Sequence, residues 1–189
     1  MTAVPMHLGI SLPQQTNIVL TGFMGCGKST VGRILADLLG YRFIDTDQLI
    51  VERSAMSVEQ IFATQGEAAF RALEEDLAQE LGGLRGQVIA TGGKMLLNPR
   101  NAMVLGAHGR IFCLTASSEE ILRRVSGDGT AKRPLLQGDH PRERILALLE
   151  ERREGYLQFI QIDTEAKSPK TVAEEIWRQV LAADQARSA

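Results

Sequence analysis

Nine residues, GFMGCGKST at 22–30, set three glycines, a lysine and two hydroxyls directly after the apolar run NIVLT. Gly22-x-x-x-x-Gly27-Lys28-Ser29, with Thr30 next, is the pattern of a phosphate-binding loop between a buried strand and a helix. Glycines let the backbone wrap so that the N–H groups of Gly25, Cys26 and Gly27 point at anionic oxygens. The helix N-terminus adds unpaired N–H groups and the positive end of its dipole. Lys28 would reach the β- and γ-phosphates, and the Ser29 hydroxyl would coordinate Mg²⁺. A turn that merely needs glycine would not require the full pattern in this setting, so the loop implies ATP or GTP binding. Cys26 supplies its backbone N–H. A thiol beside a helix N-terminus can have its pKa lowered, but position alone does not show that here.

Two further stretches carry charge that could act on a phosphate acceptor. FIDTD puts Asp45 and Asp47 at the end of a predicted second strand, the end where ligands gather in open α/β sheets. Carboxylates two apart on a strand point to opposite faces, so one would face Ser29 and the metal and the other the acceptor. The competing structural role for Asp47 is a helix N-cap, since 48–54 can form a helical turn. In GEAAFRALE, Arg71 and Glu74 form an i, i+3 pair on one helical face. The pair is either a solvated contact of little value or an arginine fork braced to grip an anion. Phe62, Ala63, Phe70, Leu73 and Leu77 read as the packing face of the same helical region.

The elements that must position these groups follow from hydrophobic pattern. Apolar runs at 17–22, 41–46, 87–92, 110–115 and 159–163 read as buried strands. Helical patterns lie at 28–39, 58–81, 99–107, 118–126, 141–156 and 169–185, the last opened by a Ser N-cap with proline at N1. Alternating strand and helix predicts a parallel sheet covered on both faces. The aperiodic stretch SGDGTAKRPLLQGDHP, about 126–141, reads as a lid.

With 189 residues, 44% hydrophobic and 23% charged, the chain suits one globular domain, 16–189, behind a mobile arm at 1–15. A net charge of −2 gives no basic footprint for nucleic acid. No apolar run is long enough to span a membrane, and the start does not read as a signal peptide. Cys26 and Cys113 are the two cysteines, read as free thiols in the cytoplasm.

Across roughly residues 16 to 180 the chain resembles the shikimate kinases. The resemblance lies in GFMGCGKSTVGRILADLLG, FIDTDQLI, IFATQGEAAFRALE, VIATGG, RPLL and LLEERREGY, in that order. It implies a three-layer phosphate-loop kinase fold with a five-stranded parallel sheet, and transfer of the γ-phosphoryl group of ATP to the 3-hydroxyl of shikimate, in the route to chorismate and the aromatic amino acids. It implies that the loop backbone, Lys28, Ser29 and Thr30 hold ATP, and that Ser29 and Asp45 hold Mg²⁺. Asp47 resembles the acidic residue that binds the shikimate hydroxyls and is the candidate general base. Arg71, braced by Glu74, and Arg152 resemble arginines on the shikimate carboxylate, and Gly92 and Gly93 resemble glycines close to the substrate. Arg133 resembles a lid arginine that swings onto the phosphates, catalytic alongside Lys28 and Asp47. Arg124, Lys167 and Pro169 lie where the family surrounds the adenine. A monomer with ATP and shikimate as its ligands is expected.

The chain departs from the family pattern in three places. Lys94 stands where a third glycine is usual, Glu154 where proline is common, and LQFIQIDT after Tyr156 is short. Two other readings compete: a related sugar-acid kinase such as gluconokinase, and a non-catalytic nucleotide-binding module with Lys94 marking a lost acceptor site. The DTD and FRALE stretches speak against the first; Asp47, Arg71, Arg133 and Arg152 together speak against the second.

Overall fold

The computed structural model describes residues 16–127 and 140–188. The arm at 1–15, most of the predicted lid and Arg133 lie outside the described residues. Five strands, β1 (Asn17–Thr21), β2 (Arg42–Asp45), β3 (Gln87–Ala90), β4 (Gly109–Thr115) and β5 (Ile160–Asp163), form one sheet in the order β2-β3-β1-β4-β5. Every pairing is parallel. The helices are α1 (Lys28–Leu39), α2 (Thr46–Ser54), α3 (Val58–Gly82), α4 (Pro99–Gly106), α5 (Ser118–Gly127), α6 (Pro141–Leu157) and α7 (Pro169–Ser188), with a short 3₁₀ turn at Met95–Leu97.

Central β1 shows why the strands read as unbroken apolar runs. Ile18 and Leu20 pack with Leu35 of α1 and with Val172, Ile176 and Val180 of α7. Val19, between them, joins Leu77 and Leu81 of α3 and Leu105 of α4 on the other face. Both faces are covered, so no polar alternation survives. This topology sorts the chemistry. The glycine loop leaves the carboxyl end of β1, residues after β2 and β3 fall to one side of it, and residues after β4 and β5 fall to the other.

Helix starts follow their caps. Ser57 and Gln60 form a capping box on α3. Asn98 caps α4 ahead of Pro99, and the Ser168 hydroxyl accepts from Thr171 N at 3.1 Å ahead of Pro169. The same chemistry corrects the reading of DTD. Asp45, not Asp47, is the N-cap: its side chain accepts from Gln48 N, so β2 stops there and Asp47 lies in the first turn of α2. The two carboxylates diverge because one caps a helix and the other rides on it, and not through strand alternation.

The long α3 is also not one regular helix. Gly66 has φ 84°, ψ 171° and kinks it. Phe70 and Leu77 are buried, and Phe62 and Leu73 pack against the same cluster. Ala63, before the kink, is exposed, so a single helical period across 62–77 misplaces it.

Candidate active site

The glycine loop has the backbone its sequence demands. Gly22, Gly25 and Gly27 have φ of 126°, 80° and 92°, values that L side chains rarely adopt. At Gly22 a β-carbon would also lie 2.2 Å from the Leu114 carbonyl oxygen, so β1 and β4 close on it only as glycine. Lys28 Nζ donates to the carbonyls of Gly22 at 2.9 Å and Phe23 at 3.0 Å. Burial lowers its pKa, against the opposing charges of Cys26, Asp47 and Asp45. The ammonium is thus held by weak acceptors at the loop mouth, and phosphate oxygens would be stronger ones. Ser29 Oγ donates to Asp45 Oδ2 at 2.7 Å. A hydroxyl and a carboxylate together are hard oxygen donors of the kind Mg²⁺ takes while keeping several waters. Thr30 is exposed in the first turn of α1.

Cys26 is buried and desolvation raises its thiol pKa despite Lys28 and Arg124 nearby. The helix N-terminus does not activate it. Cys113, in β4, is buried as well, its pKa pushed up to about 12.

On the β2–β3 side the glycines after β3 touch the predicted acceptor residues one after another. A β-carbon on Gly92 would fall 2.6 Å from Asp47 Oδ1 and 2.8 Å from Glu74 Oε1; one on Gly93 would fall 3.5 Å from Arg152 Nη1 and 3.7 Å from the Tyr156 hydroxyl. Any side chain at 92 would have to displace both carboxylates. The loop is pinned by Gly92 N donating to Thr46 Oγ1 at 2.9 Å and by Tyr156 OH donating to Gly93 O at 2.7 Å. Neither pin was found from sequence. Thr46 sits hidden inside DTD, and Tyr156 in LLEERREGY served only to place Arg152.

Arg71 Nη1 donates to Glu74 Oε2 at 2.6 Å, and Nη2 and Nε donate to Glu67 Oε1 at 2.8 and 3.2 Å. The Glu74 side chain is 1% exposed, so the solvated-pair reading fails. Glu67 was missed, because GEAAFRALE also contains an i, i+4 pair that looks like ordinary surface charge. Arg152 is buried with its guanidinium 5.1 Å above the Phe23 ring. No carboxylate among the described residues pairs with it.

Buried polar atoms are ordinarily satisfied. Here Asp47 Oδ1, Glu74 Oε1 and Arg152 Nε are buried without a hydrogen-bond partner among the described residues, and they lie around the same two glycines. Burial raises the Asp47 pKa, and neighbouring Asp45 raises it further against Lys28 and Arg71. Burial also drives Glu74 up to about 7, against the hydrogen bond and charge of Arg71.

A raised folded-state pKa at Glu74 means that folding takes up a proton between the ordinary value of 4.5 and about 7. That stabilising contribution is complete below the ordinary value and is lost as pH rises through about 7. Glu74→Gln removes it, so the thermal midpoint of the variant should climb relative to the parent between about pH 5 and about pH 8. A constant offset would mean that Glu74 is ionised throughout.

On the β4–β5 side, Arg124 is tied to the glycine loop and to the end of β5. It donates to Gly25 O at 3.2 Å, Thr164 Oγ1 at 3.0 Å, Thr164 O at 2.9 Å and Glu120 Oε1 at 2.7 Å. Lys167 pairs with Glu175 at 2.8 Å, and Pro169 opens α7 beside it.

A parallel sheet in this order, with a phosphate loop after its central strand and a pocket of carboxylates and guanidinium groups beside it, defines a phosphate-loop kinase for small molecules. The shikimate kinase family model matches residues 24–181. The shikimate kinase of Geobacter sulfurreducens is 48% identical over 161 residues, 85% of this chain and 88% of that one. That of Caldanaerobacter subterraneus is 47% identical over 87% of this chain and 96% of its own. Among solved structures, shikimate kinase from Acinetobacter baumannii in complex with shikimate superposes with TM-score 0.82 at 34% identity, covering 89% and 94% of the two chains. The chain belongs to the shikimate kinase family and is an ATP-dependent kinase. A gluconokinase from Sinorhizobium meliloti 1021, with TM-score 0.60 and 18% identity, shares the fold alone.

Among the described residues no helix is long and apolar enough to cross a membrane.

Proposed function

We propose that this chain transfers the γ-phosphoryl group of ATP to the 3-hydroxyl of shikimate, with its residues in the following roles. The glycine-loop N–H groups and Lys28 hold the β- and γ-phosphates, and Arg124, Lys167 and Pro169 border the adenine. Ser29 and Asp45 would hold Mg²⁺, which when bound would offset the charge that develops on the transferring phosphate. Asp47 accepts a hydrogen bond from the attacking hydroxyl and takes its proton. Arg71 and Arg152 grip the acceptor's carboxylate, with Glu74 bracing Arg71. Gly92 and Gly93 let the acceptor reach the backbone, and Arg133, outside the described residues, is assigned to the phosphates. The chain is read as a monomer, and the cytoplasm is the compartment that suits its free thiols, Cys26 and Cys113.

The observation that carries this reading is the juxtaposition of Asp47 Oδ1 and Arg152 Nε, both buried without a hydrogen-bond partner among the described residues, across two adjacent glycines. A hydroxy acid satisfies both at once. A neutral polyol leaves Arg152 without a counter-charge.

The test is release of ADP from Mg-ATP with shikimate, gluconate, a nucleoside monophosphate or no acceptor. Turnover should depend on shikimate. Turnover with gluconate alone, or nucleotide binding with no turnover under any condition, would overturn the assignment.

A further inference from the structure

Lys94 follows the two substrate-side glycines, and its backbone does not require a lysine. With φ −102° and ψ −8° it lies in a region open to any residue. Its side chain crosses between two helices. Nζ lies 3.4 Å from Glu151 Oε1 on α6 and 4.0 Å from Glu67 Oε1 on α3. That same Glu67 oxygen accepts both Nε and Nη2 of Arg71. Arg71 thus has one edge of its planar fork occupied by Glu67 and one Nη1 hydrogen on Glu74.

An arginine edge covered by a carboxylate cannot grip a second carboxylate side-on. Glu67 also sets a negative charge against Arg71, the group assigned to the acceptor's carboxylate. Glu67 is free to be moved: its side chain is 54% exposed, and it follows directly on Gly66, where α3 is already kinked and a β-carbon would meet open space. The group that can take it is Lys94, too distant for a good hydrogen bond at 4.0 Å but within the reach of a rotamer change.

We propose that Lys94 is a positioning residue for the anionic acceptor: it draws the Glu67 carboxylate off Arg71 and neutralises it, freeing the Nε/Nη2 edge of Arg71 for the acceptor's carboxylate. The inference rests on the reading above in which Arg71 takes that carboxylate. It gives the departure from the third glycine a task within the acceptor site and makes that departure no sign of a lost one. Glu151 holds the ammonium over the site while the acceptor is away. ATP, bound on the other side of Lys28, should not sense the exchange.

Steady-state kinetics separates the possibilities. Lys94→Met should raise the KM for shikimate roughly fivefold, the scale that half-exposed charge pairs support. It should leave kcat and the KM for ATP within about twofold. Lys94→Gln should show the same split, and Lys94→Arg should restore the parent value. In a Glu67→Gln background, with no carboxylate to hand over, Lys94→Met should change the shikimate KM little. The proposal fails if Lys94→Met leaves the shikimate KM unmoved, raises it equally in the Glu67→Gln background, or raises both KM values together. Arg71→Lys tests the underlying reading separately. An unchanged shikimate KM there removes that reading, whereas a raised one beside an inert Lys94→Met removes only the handover.

Discussion

Asp47→Asn should lower kcat for shikimate-dependent ADP release by about 10²- to 10⁴-fold, with the KM for ATP nearly unchanged. The substitution keeps shape and volume and replaces the carboxylate by a neutral amide that cannot take a proton. Asp47 is suited to that task by where α2 begins. Asp45 spends its side chain on Gln48 N and Ser29. Asp47, in the first turn of α2, keeps Oδ1 buried and without a partner among the described residues. Desolvation makes it a stronger base than an exposed aspartate. The acid limb of the kcat profile should therefore fall above the ordinary aspartate value of 3.8. Phosphoryl transfer through a loose transition state leaves much of the rate to positioning, so a residue of activity should survive. A loss below about tenfold would show that Asp47 orients the hydroxyl without accepting its proton.

Much of this arrangement is legible in the sequence, and what is not has physical causes. The inner strands β1 and β3 were readable because a strand covered on both faces has no reason to alternate. The glycine loop was readable because its φ values and its approach to Leu114 admit nothing else. Arg71 and Glu74 could be paired by helical spacing, yet spacing cannot tell a surface pair from one whose carboxylate is buried. The rule that separated Asp45 from Asp47 was sound for a strand and misapplied, since a cap that ends the strand is itself one of the residues in question. Glu67 was hidden by resembling surface charge. Gly66 gave no warning of a kink, because a single glycine inside a helical pattern is often tolerated. The contacts of Thr46 and Tyr156 with the glycine turn join residues far apart in the chain, which no local pattern encodes. Lys94 was visible as a departure, but its two carboxylate partners come from α3 and α6 and emerge only once those helices are packed.

Arg152→Met should raise the KM for shikimate by about 10²-fold or more while leaving the KM for ATP and the fold intact. The magnitude follows from truncating one partner of a buried, charge-assisted pair, which costs about 2–5 kcal/mol of binding. The specificity follows from place. Arg152 lies beside Gly93 and over the Phe23 ring, whereas the phosphates are assigned to the loop N–H groups and to Lys28, which holds the Gly22 and Phe23 carbonyls. The free protein gives a second, independent sign. A buried guanidinium without a carboxylate partner among the described residues is a desolvation cost that the fold carries in the absence of substrate. Met keeps the apolar stem over Phe23 and removes that charge, so the thermal midpoint should hold or rise. Arg71→Ala should behave differently in one respect. It too should weaken shikimate with ATP affinity kept, but it leaves Glu74 buried without its counter-charge and should lower stability near neutral pH. Loss of ATP and shikimate affinity in equal measure, in either variant, would mean that these arginines build the loop and not the acceptor site. A rise in stability joined to a selective loss of the acid is the signature of a charge kept for a ligand.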